Sequence, residues 1–492
     1  MTWRVLSRTL GFASTVILAR LLAPQDFGIV AMAGAFVAAI DALAQFNPGT
    51  VLLRRHESDT RLHNTVFTMQ VIRSAASGAV VILFARLASS WFSEPRLTPL
   101  VWALGGLLIL SGFQNIGTIE FQQTLRYEQT VRMLILPRIL QIATTLLVAW
   151  YTRSYWALLA GVGAMRVSQT IMSYAIHPYR PRFSLAGWRE VAGFSFWLWA
   201  DSVASLAWGR SATFIVGRFF GSAGLGLYQV GSDVGLMPMH ELVAPVNDVL
   251  IAGQAALERH GTRASENVVP VALAMLLLIA PITISLSAGA GYVVMILLGK
   301  KWWAAQPLVE TLAWICLVTP FAYACAGTLI AQGRVRQRFL VTGVASLVQI
   351  IVVAIAAKTG NLTNVAVGLM VVATLESALY VVTLGGLGRP ESLARAGWAL
   401  GRILAAGGVA VLLLLACPYA WLPEKAFEAG QIGPMQAFLP SLTLGVLSIA
   451  GFGSTVVALW WLAGRPEGPE RLLLRAARSM LGKTPLRHRV TA

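Results

Sequence analysis

The sequence predicts an all-α, polytopic membrane protein of about 14 transmembrane helices, set out as two six-helix lobes in parallel repeat with a C-terminal helix pair. Three observations carry that prediction. Of 492 residues, 57% are apolar and 12% charged, with a mean hydropathy of +0.69, against about 25% charged in soluble domains. The apolar residues fall into long stretches between charged or turn-rich breaks. The basic residues then alternate from one break to the next. A soluble globular enzyme is excluded, and 45 Gly and 21 Pro scattered through apolar segments exclude disorder and a collagen-like repeat.

Each stretch has identifiable ends. Residues 3–22 carry Arg4 and Arg8 at their head and Arg20 at their foot. Residues 27–48 end at Arg54, Arg55 and Arg61, and 66–90 at Arg96. Residues 98–118 run to Arg126 and Arg132, 132–151 to Arg153, and 154–176 to Arg180, Arg182 and Arg189. A second series follows: 191–217 to Arg218, 222–250 to Arg259 and Arg263, and 268–297 to Lys300 and Lys301. It continues with 306–330 to Arg334, Arg336 and Arg338, 338–358 to Lys358, and 363–386 to Arg389, Arg395 and Arg402. Two more, 398–422 and 438–463, flank a break with Lys425. The N-terminus, the even-numbered breaks and the tail hold 25 basic residues and the odd-numbered breaks 8. Translocated loops are poor in Lys and Arg, so both termini are expected in the cytoplasm. The net charge of +17 belongs to this bias and to anionic lipid, with no nucleic-acid partner. The opening MTWRVLSR followed by LGFASTVILA imitates a signal peptide, but the repeat described next argues against removal.

ILARLLAPQDFGIV from Ile17 matches IVGRFFGSAGLGLY from Ile215, pairing Arg20 with Arg218 and Gly28 with Gly226 at an offset of 198. Gly117-Thr118 matches Gly327-Thr328, Gln141-Ile142 matches Gln349-Ile350, and Gly161 matches Gly368, at offsets of 210, 208 and 207. Six spans per copy is an even number, so the copies share one orientation. The expected division is an N-lobe over 1–190, a C-lobe over 191–390, an extra helix pair over 391–464 and a basic cytoplasmic tail over 465–492. The tail reads either as a basic amphipathic helix on the inner leaflet or as a solvated segment.

A charge at mid-membrane costs roughly 2.5–3.5 kcal/mol on insertion scales, so such residues face protein or water. Gln70, Arg73, Ser74 and Ser77 share one helical face, as do Arg166, Gln169, Thr170 and Ser173. Arg138, Gln141 and Thr145 form a third stripe, and Arg4, Arg8, Gly11 and Thr15 a fourth. Together they are expected to line a wet cationic cavity suited to a diphosphate or acidic sugar, with Arg73, Arg166, Arg138, Arg8, Gln70 and Gln169 binding substrate. Snorkelling of Arg8 and Arg138 to the interface is the alternative. Asp41, Asp201, Asp233, Glu310 and Glu376 are candidate coupling-ion sites, or static partners of arginines. Pro238, His240, Glu241, Pro245 and Asp248 predict a broken helix. Trp302 and Trp303 fit an outer aromatic belt. Cys316, Cys325 and Cys417 have no CxxC spacing and no nearby His, and read as packing residues, with no metal site and no catalytic residue assigned. There is no GxxxxGK[ST], HExxH, GxSxG or DxD, which excludes self-powered ATP-driven export and disfavours an enzyme.

At LARLLAPQDFGIVAMAGAFVAAIDALAQFNPGTVLLRR (Leu18 to Arg55) the chain resembles the polysaccharide-exporter branch of the multidrug/oligosaccharidyl-lipid/polysaccharide flippase superfamily, the Wzx-type flippases of exopolysaccharide and lipopolysaccharide assembly. The likeness continues through SYWALLAGVGAMR, HPYRPRFSLAGWREVAGFSFWLWADS, VGRFFGSAGLGLYQVGSD and MILLGKKWWAAQPLV, covering roughly residues 3–390. It implies 12 to 14 helices in two lobes of a multi-pass protein of the bacterial inner membrane. It further implies alternating-access flipping of an undecaprenyl-diphosphate-linked oligosaccharide repeat unit, driven by an H+ or Na+ gradient with no other cofactor. Expected partners are that lipid-linked oligosaccharide, membrane lipids, a polysaccharide polymerase and a chain-length regulator, with the protein itself a monomer. Glu310, in PLVETLAW, departs from the basic or neutral residue common in relatives. A drug/cation antiporter of the same superfamily, or an integral-membrane polymerase or ligase, are the other readings.

Overall fold

The computed structural model describes residues 2–44, 60–123, 127–188, 196–243, 268–384, 390–421, 434–466 and 468–471. Their regular secondary structure is helical, with no strand among the described residues. α1 (Thr2–Leu21) and α2 (Pro24–Leu43) are joined by a tight turn that Asp26 caps, one carboxylate oxygen accepting the Ala23 N–H at 2.9 Å and the other the Tyr155 N–H at 3.1 Å. The stretch expected at 66–90 is two helices, α3 (Thr60–Leu83) and α4 (Ala85–Phe92). α5 (Leu97–Ser111), α6 (Tyr127–Thr152) and α7 (Trp156–Ile176) follow. α8 (Phe196–Gly235) passes through Gly221, whose φ of +66° only glycine adopts without strain, so 196–220 and 222–235 are separate stretches. Beyond it a π-helical turn, Met239–Val243, falls at Pro238, His240 and Glu241, where a broken helix was expected. Pro245 and Asp248 lie outside the described residues.

α9 (Val268–Ala288), α10 (Ala290–Leu297), α11 (Gln306–Ala313) and α12 (Ile315–Ala331) come next. The segment from Lys300 to Ala313 meets α12 at a 46° bend instead of forming the single straight span expected at 306–330. There Trp314 and Leu317 take tight i→i−3 hydrogen bonds, to Thr311 and Trp314. α13 (Val335–Ala357), α14 (Leu362–Thr383), α15 (Pro390–Ala416) and α16 (Pro434–Leu462) complete the order. Eight described helices are long and apolar enough to cross a bilayer, nine if the bent pair counts as one span. This is a multi-pass membrane protein.

The chain forms two compact units, one of residues 1–231, 297–305 and 342–365, the other of 232–296, 306–341 and 366–492. In the first, α2 and the 222–231 stretch of α8 cross backbone to backbone. A Cβ on Gly28 would stand 1.7 Å from the Ser222 carbonyl oxygen, and one on Gly226 1.7 Å from that of Pro24. The offset of 198 carries Pro24 to Ser222 as it carries Gly28 to Gly226, so each copy of the motif offers its glycine to the other's carbonyl. That reciprocity is what a pseudo-two-fold relation between copies produces, and only glycine permits such close approach. Trp302 also belongs here. It is fully buried, its indole N–H donates to the Ala19 carbonyl at 2.7 Å, and its ring meets Phe27 edge-on. The expectation of an outer aromatic belt is therefore corrected for Trp302: the 3-10 turn Lys300–Ala305 folds it into the core.

In the second unit, small residues such as Ala272, Ala324 and Cys325 let the helices pack closely beside Tyr380. All three cysteines are buried free thiols. Arg402 on α15 makes a buried, doubly hydrogen-bonded ion pair with Glu470, at 2.8 and 2.9 Å to one carboxylate oxygen.

Candidate functional site

Two polar hollows lie among the described residues of the first unit. One, of about 180 Å³, is walled by Gly11, Ser14 and Thr15 of α1, Arg138, Gln141 and Thr145 of α6, and apolar residues of α2 and α7. Two of the four polar stripes therefore share a cavity. Its charge is Arg138, whose guanidinium lies across Gly11, so close that a Cβ there would stand 2.3 Å from Nη2. Nη1 donates to Gln141 Oε1 at 2.8 Å, and Nε is buried with no hydrogen-bond partner. Among the described residues no carboxylate pairs with Arg138. The repeat offset of 208 places Ser346 at the corresponding position of the second copy, where its hydroxyl donates to the Thr342 and Ala204 carbonyls. Helix packing at this position thus needs no charge, and the arginine is particular to the first copy.

The second hollow, about 310 Å³, is lined by Arg166 and Gln169 of α7 with Gln114, Thr118, Phe121, Met133 and Leu134. Arg166 is exposed and makes no ion pair among the described residues. Arg73 differs: its Nη1 donates to Asp41 Oδ1 at 2.9 Å, so a residue read as binding substrate and one read as a coupling site are tied to each other across α2 and α3. Gln70 donates to the Gly112 and Gln114 carbonyls at 3.0 and 3.3 Å and tethers α3 to the end of α5. Arg8 lies in α1, and its side chain is outside the described residues. The four stripes thus do not meet in one cavity.

The carboxylates are dispersed. Asp201 is buried in α8 within the first unit. In the second, Glu376 is buried in α14 with Arg338 near enough to act on it, Asp233 is exposed, and Glu310 accepts from Gln306 at 3.1 Å. No group of three His, Cys, Asp or Glu side chains among the described residues is spaced to hold a metal. Sequence patterning missed a cluster of His63, Glu120 and His177, because its members come from three separate segments with no shared period.

A multi-pass helical protein with an arginine in each of two hollows of its first unit has the build of a membrane transporter. Residues 17–307 match the polysaccharide biosynthesis protein family, and the chain belongs to that family. It is 23% identical over 321 residues to the succinoglycan biosynthesis transport protein ExoT of Rhizobium meliloti, covering 63% of this chain and 64% of that one, just under two thirds. It is 21% identical over 375 residues to the lipopolysaccharide biosynthesis protein WzxC of Escherichia coli, covering 75% and 76%. Its fold is that of the lipid II flippase MurJ in an inward closed conformation, with TM-score 0.68, 12% identity and coverage of 91% and 98%. An inward-facing multidrug resistance MATE family transporter aligns with TM-score 0.59, 12% identity and coverage of 80% and 96%.

Proposed function

We propose that this protein flips an undecaprenyl-diphosphate-linked oligosaccharide repeat unit from the inner to the outer leaflet of a bacterial inner membrane by alternating access. The observation that carries the reading is Arg138, a guanidinium on a helix long and apolar enough to cross a bilayer, with one neutral partner, an unsatisfied Nε, and no carboxylate beside it among the described residues. A guanidinium fork matches phosphate oxygens and stays charged when partly buried. The second unit supports the lipid half of the substrate. A groove of about 690 Å³ between α9, α12, α14 and α15, walled by Leu276, Phe321, Val381, Leu404 and other apolar side chains, has the lining a polyprenyl chain requires. A drug/cation antiporter is disfavoured because an unneutralised arginine repels a cationic cargo.

The remaining parts of the reading are the 1–190 and 191–390 lobes, fourteen spans with both termini cytoplasmic, H+ or Na+ coupling, and a monomer working beside a polymerase and chain-length regulator. They rest on the charge alternation, the repeat and the relatives' names. The test is a deletion strain assayed for lipid-linked repeat units. Units trapped on the inner leaflet are expected, and completed, unpolymerised units on the outer face would instead support a polymerase.

A further inference from the structure

Within the first unit, three segments distant in sequence bring two histidines onto one carboxylate. His63 lies in the first turn of α3, Glu120 follows the 3-10 turn Ile116–Ile119, and His177 caps the end of α7. His177 Nε2 is 3.3 Å from Glu120 Oε2, and His63 Nε2 is 3.8 Å from Oε1. The imidazoles are buried, 3% and 7% exposed, while the Glu120 side chain keeps 35% of its surface open. The surroundings are shaped to this arrangement. A Cβ on Gly117 would stand 2.5 Å from His177 Nδ1, so glycine makes room for the ring. Asn115 accepts the Gly117 N–H and donates to the Tyr179 carbonyl, and the Tyr179 hydroxyl donates to Asn64 Oδ1 at 2.7 Å.

The tautomer of His177 follows from its neighbours. Nδ1 accepts the Tyr179 N–H at 3.2 Å, so the neutral ring carries its proton on Nε2, aimed at Glu120. A second proton on His177 would break that bond, so His177 holds one face of Glu120 while His63 stands at the other, 3.8 Å from Oε1. The other titratable and charged groups around them are otherwise occupied. Burial, with the Glu120 charge adding to it, pushes the Tyr179 phenol up to about 12. Arg180 donates Nη1 to the His177 and Tyr179 carbonyls and lies over Tyr174, and Arg61 donates to the Ala186 carbonyl. Arg182 joins through its backbone N–H, to Asn64, and Glu128 and Arg132 pair with each other.

We propose that His63 and Glu120, steadied by His177, are the binding site of the coupling proton, and that occupancy of this site sets the wall of the Arg166 hollow. The inference rests on the transporter reading but not on the identity of the glycan. The same short segment supplies both: Gln114, Thr118 and Phe121 line the hollow of Arg166 and Gln169, and the Phe121 ring meets the His177 ring at 5.2 Å. A proton on the pair makes an imidazolium–carboxylate attraction that draws Glu120 towards α3, and its departure relaxes that pull. By the charge alternation this end faces the cytoplasm, where the open side of Glu120 exchanges protons with solvent.

The test uses the full chain purified in detergent, with the three native cysteines replaced by Ala and Thr118→Cys as the reporter. Modification by a soluble maleimide is timed from about pH 6 to about pH 8, each rate divided by that of the same reporter in a Glu120→Gln background to remove the intrinsic thiol dependence. The expected ratio changes about threefold across the range, the size a partly exposed ion pair imposes on an equilibrium. His63→Gln is expected to remove that change, and an indicator dye is expected to record fewer protons released per chain by both variants than by the parent. Identical pH profiles and proton counts in the three proteins overturn the proposal. The deletion strain separates the two readings: completed, unpolymerised repeat units on the outer face would sink the flippase assignment while leaving the proton site to stand or fall on its own titration.

Discussion

Replacing Gly28 or Gly226 by Ala tests the reciprocal crossing of α2 with α8. At either position the new Cβ would begin 1.7 Å from a backbone carbonyl oxygen, whereas real Cβ contacts essentially never fall below 3.0 Å. The helices must therefore separate by more than an ångström. Overpacking of this kind typically costs 1–3 kcal/mol, and a backbone opponent, which cannot rotate away, places each substitution near the upper end, about 3 kcal/mol. The two substitutions act on one gap. Once Gly28→Ala has opened it, the methyl of Gly226→Ala enters space already made, so the double variant is expected to cost about 3 kcal/mol and not about 6, a coupling of roughly 3 kcal/mol. Equilibrium unfolding of the four proteins in mixed micelles supplies the cycle. Additive costs, or single variants within about 0.5 kcal/mol of the parent, would refute a direct backbone crossing.

Three further outcomes follow from the geometry. Arg402→Ala leaves the Glu470 carboxylate buried without its guanidinium and is expected to cost about 3–5 kcal/mol, most of it recovered by Arg402→Met with Glu470→Leu; unfolding in detergent measures both. The Arg96 guanidinium, hydrogen-bonded beside Glu94, holds that carboxyl below the usual carboxylate range, and the Ser222 hydroxyl acts in the same direction. Because the folded value is the lower one, this stability is present above about pH 4.3, the ordinary glutamate value, and is lost as pH falls through the folded value. The Tm of the parent should therefore fall more steeply in acid than that of Glu94→Gln, and parallel Tm-versus-pH profiles would remove the effect. Arg73→Ala alone, which strands Asp41, is expected to lower the amount of protein in the membrane more than Arg73→Gln with Asp41→Asn, read by immunoblot.

Much of the fold can be read from residue order because hydrophobic length and basic-residue placement are local quantities. The described helices follow the apolar stretches in turn, and the offset of 198 anticipated which glycines correspond. That Gly28 and Gly226 touch was not anticipated, since a repeat gives equivalence and not contact. Helix breaks were only partly visible: prolines marked the π turn after Pro238, but nothing comparable announced the interruption at Phe84. Polar stripes identify a face without saying what stands opposite it. Arg73 meets a carboxylate from α2, Gln70 meets two carbonyls, and Arg138 meets a glycine. The three side chains, two of them from one stripe, therefore have different fates, decided by partners the helical period cannot name. The His63, Glu120 and His177 cluster was invisible for the same reason.

The central claim is that the uncompensated guanidinium of Arg138 holds the diphosphate of a lipid carrier. It is tested most directly by following lipid-linked repeat units in the deletion strain carrying Arg138→Gln, with the protein's membrane level confirmed. The account predicts units stranded on the inner leaflet and loss of exported polymer. Polymer at the wild-type level, with no stranded units, would contradict it.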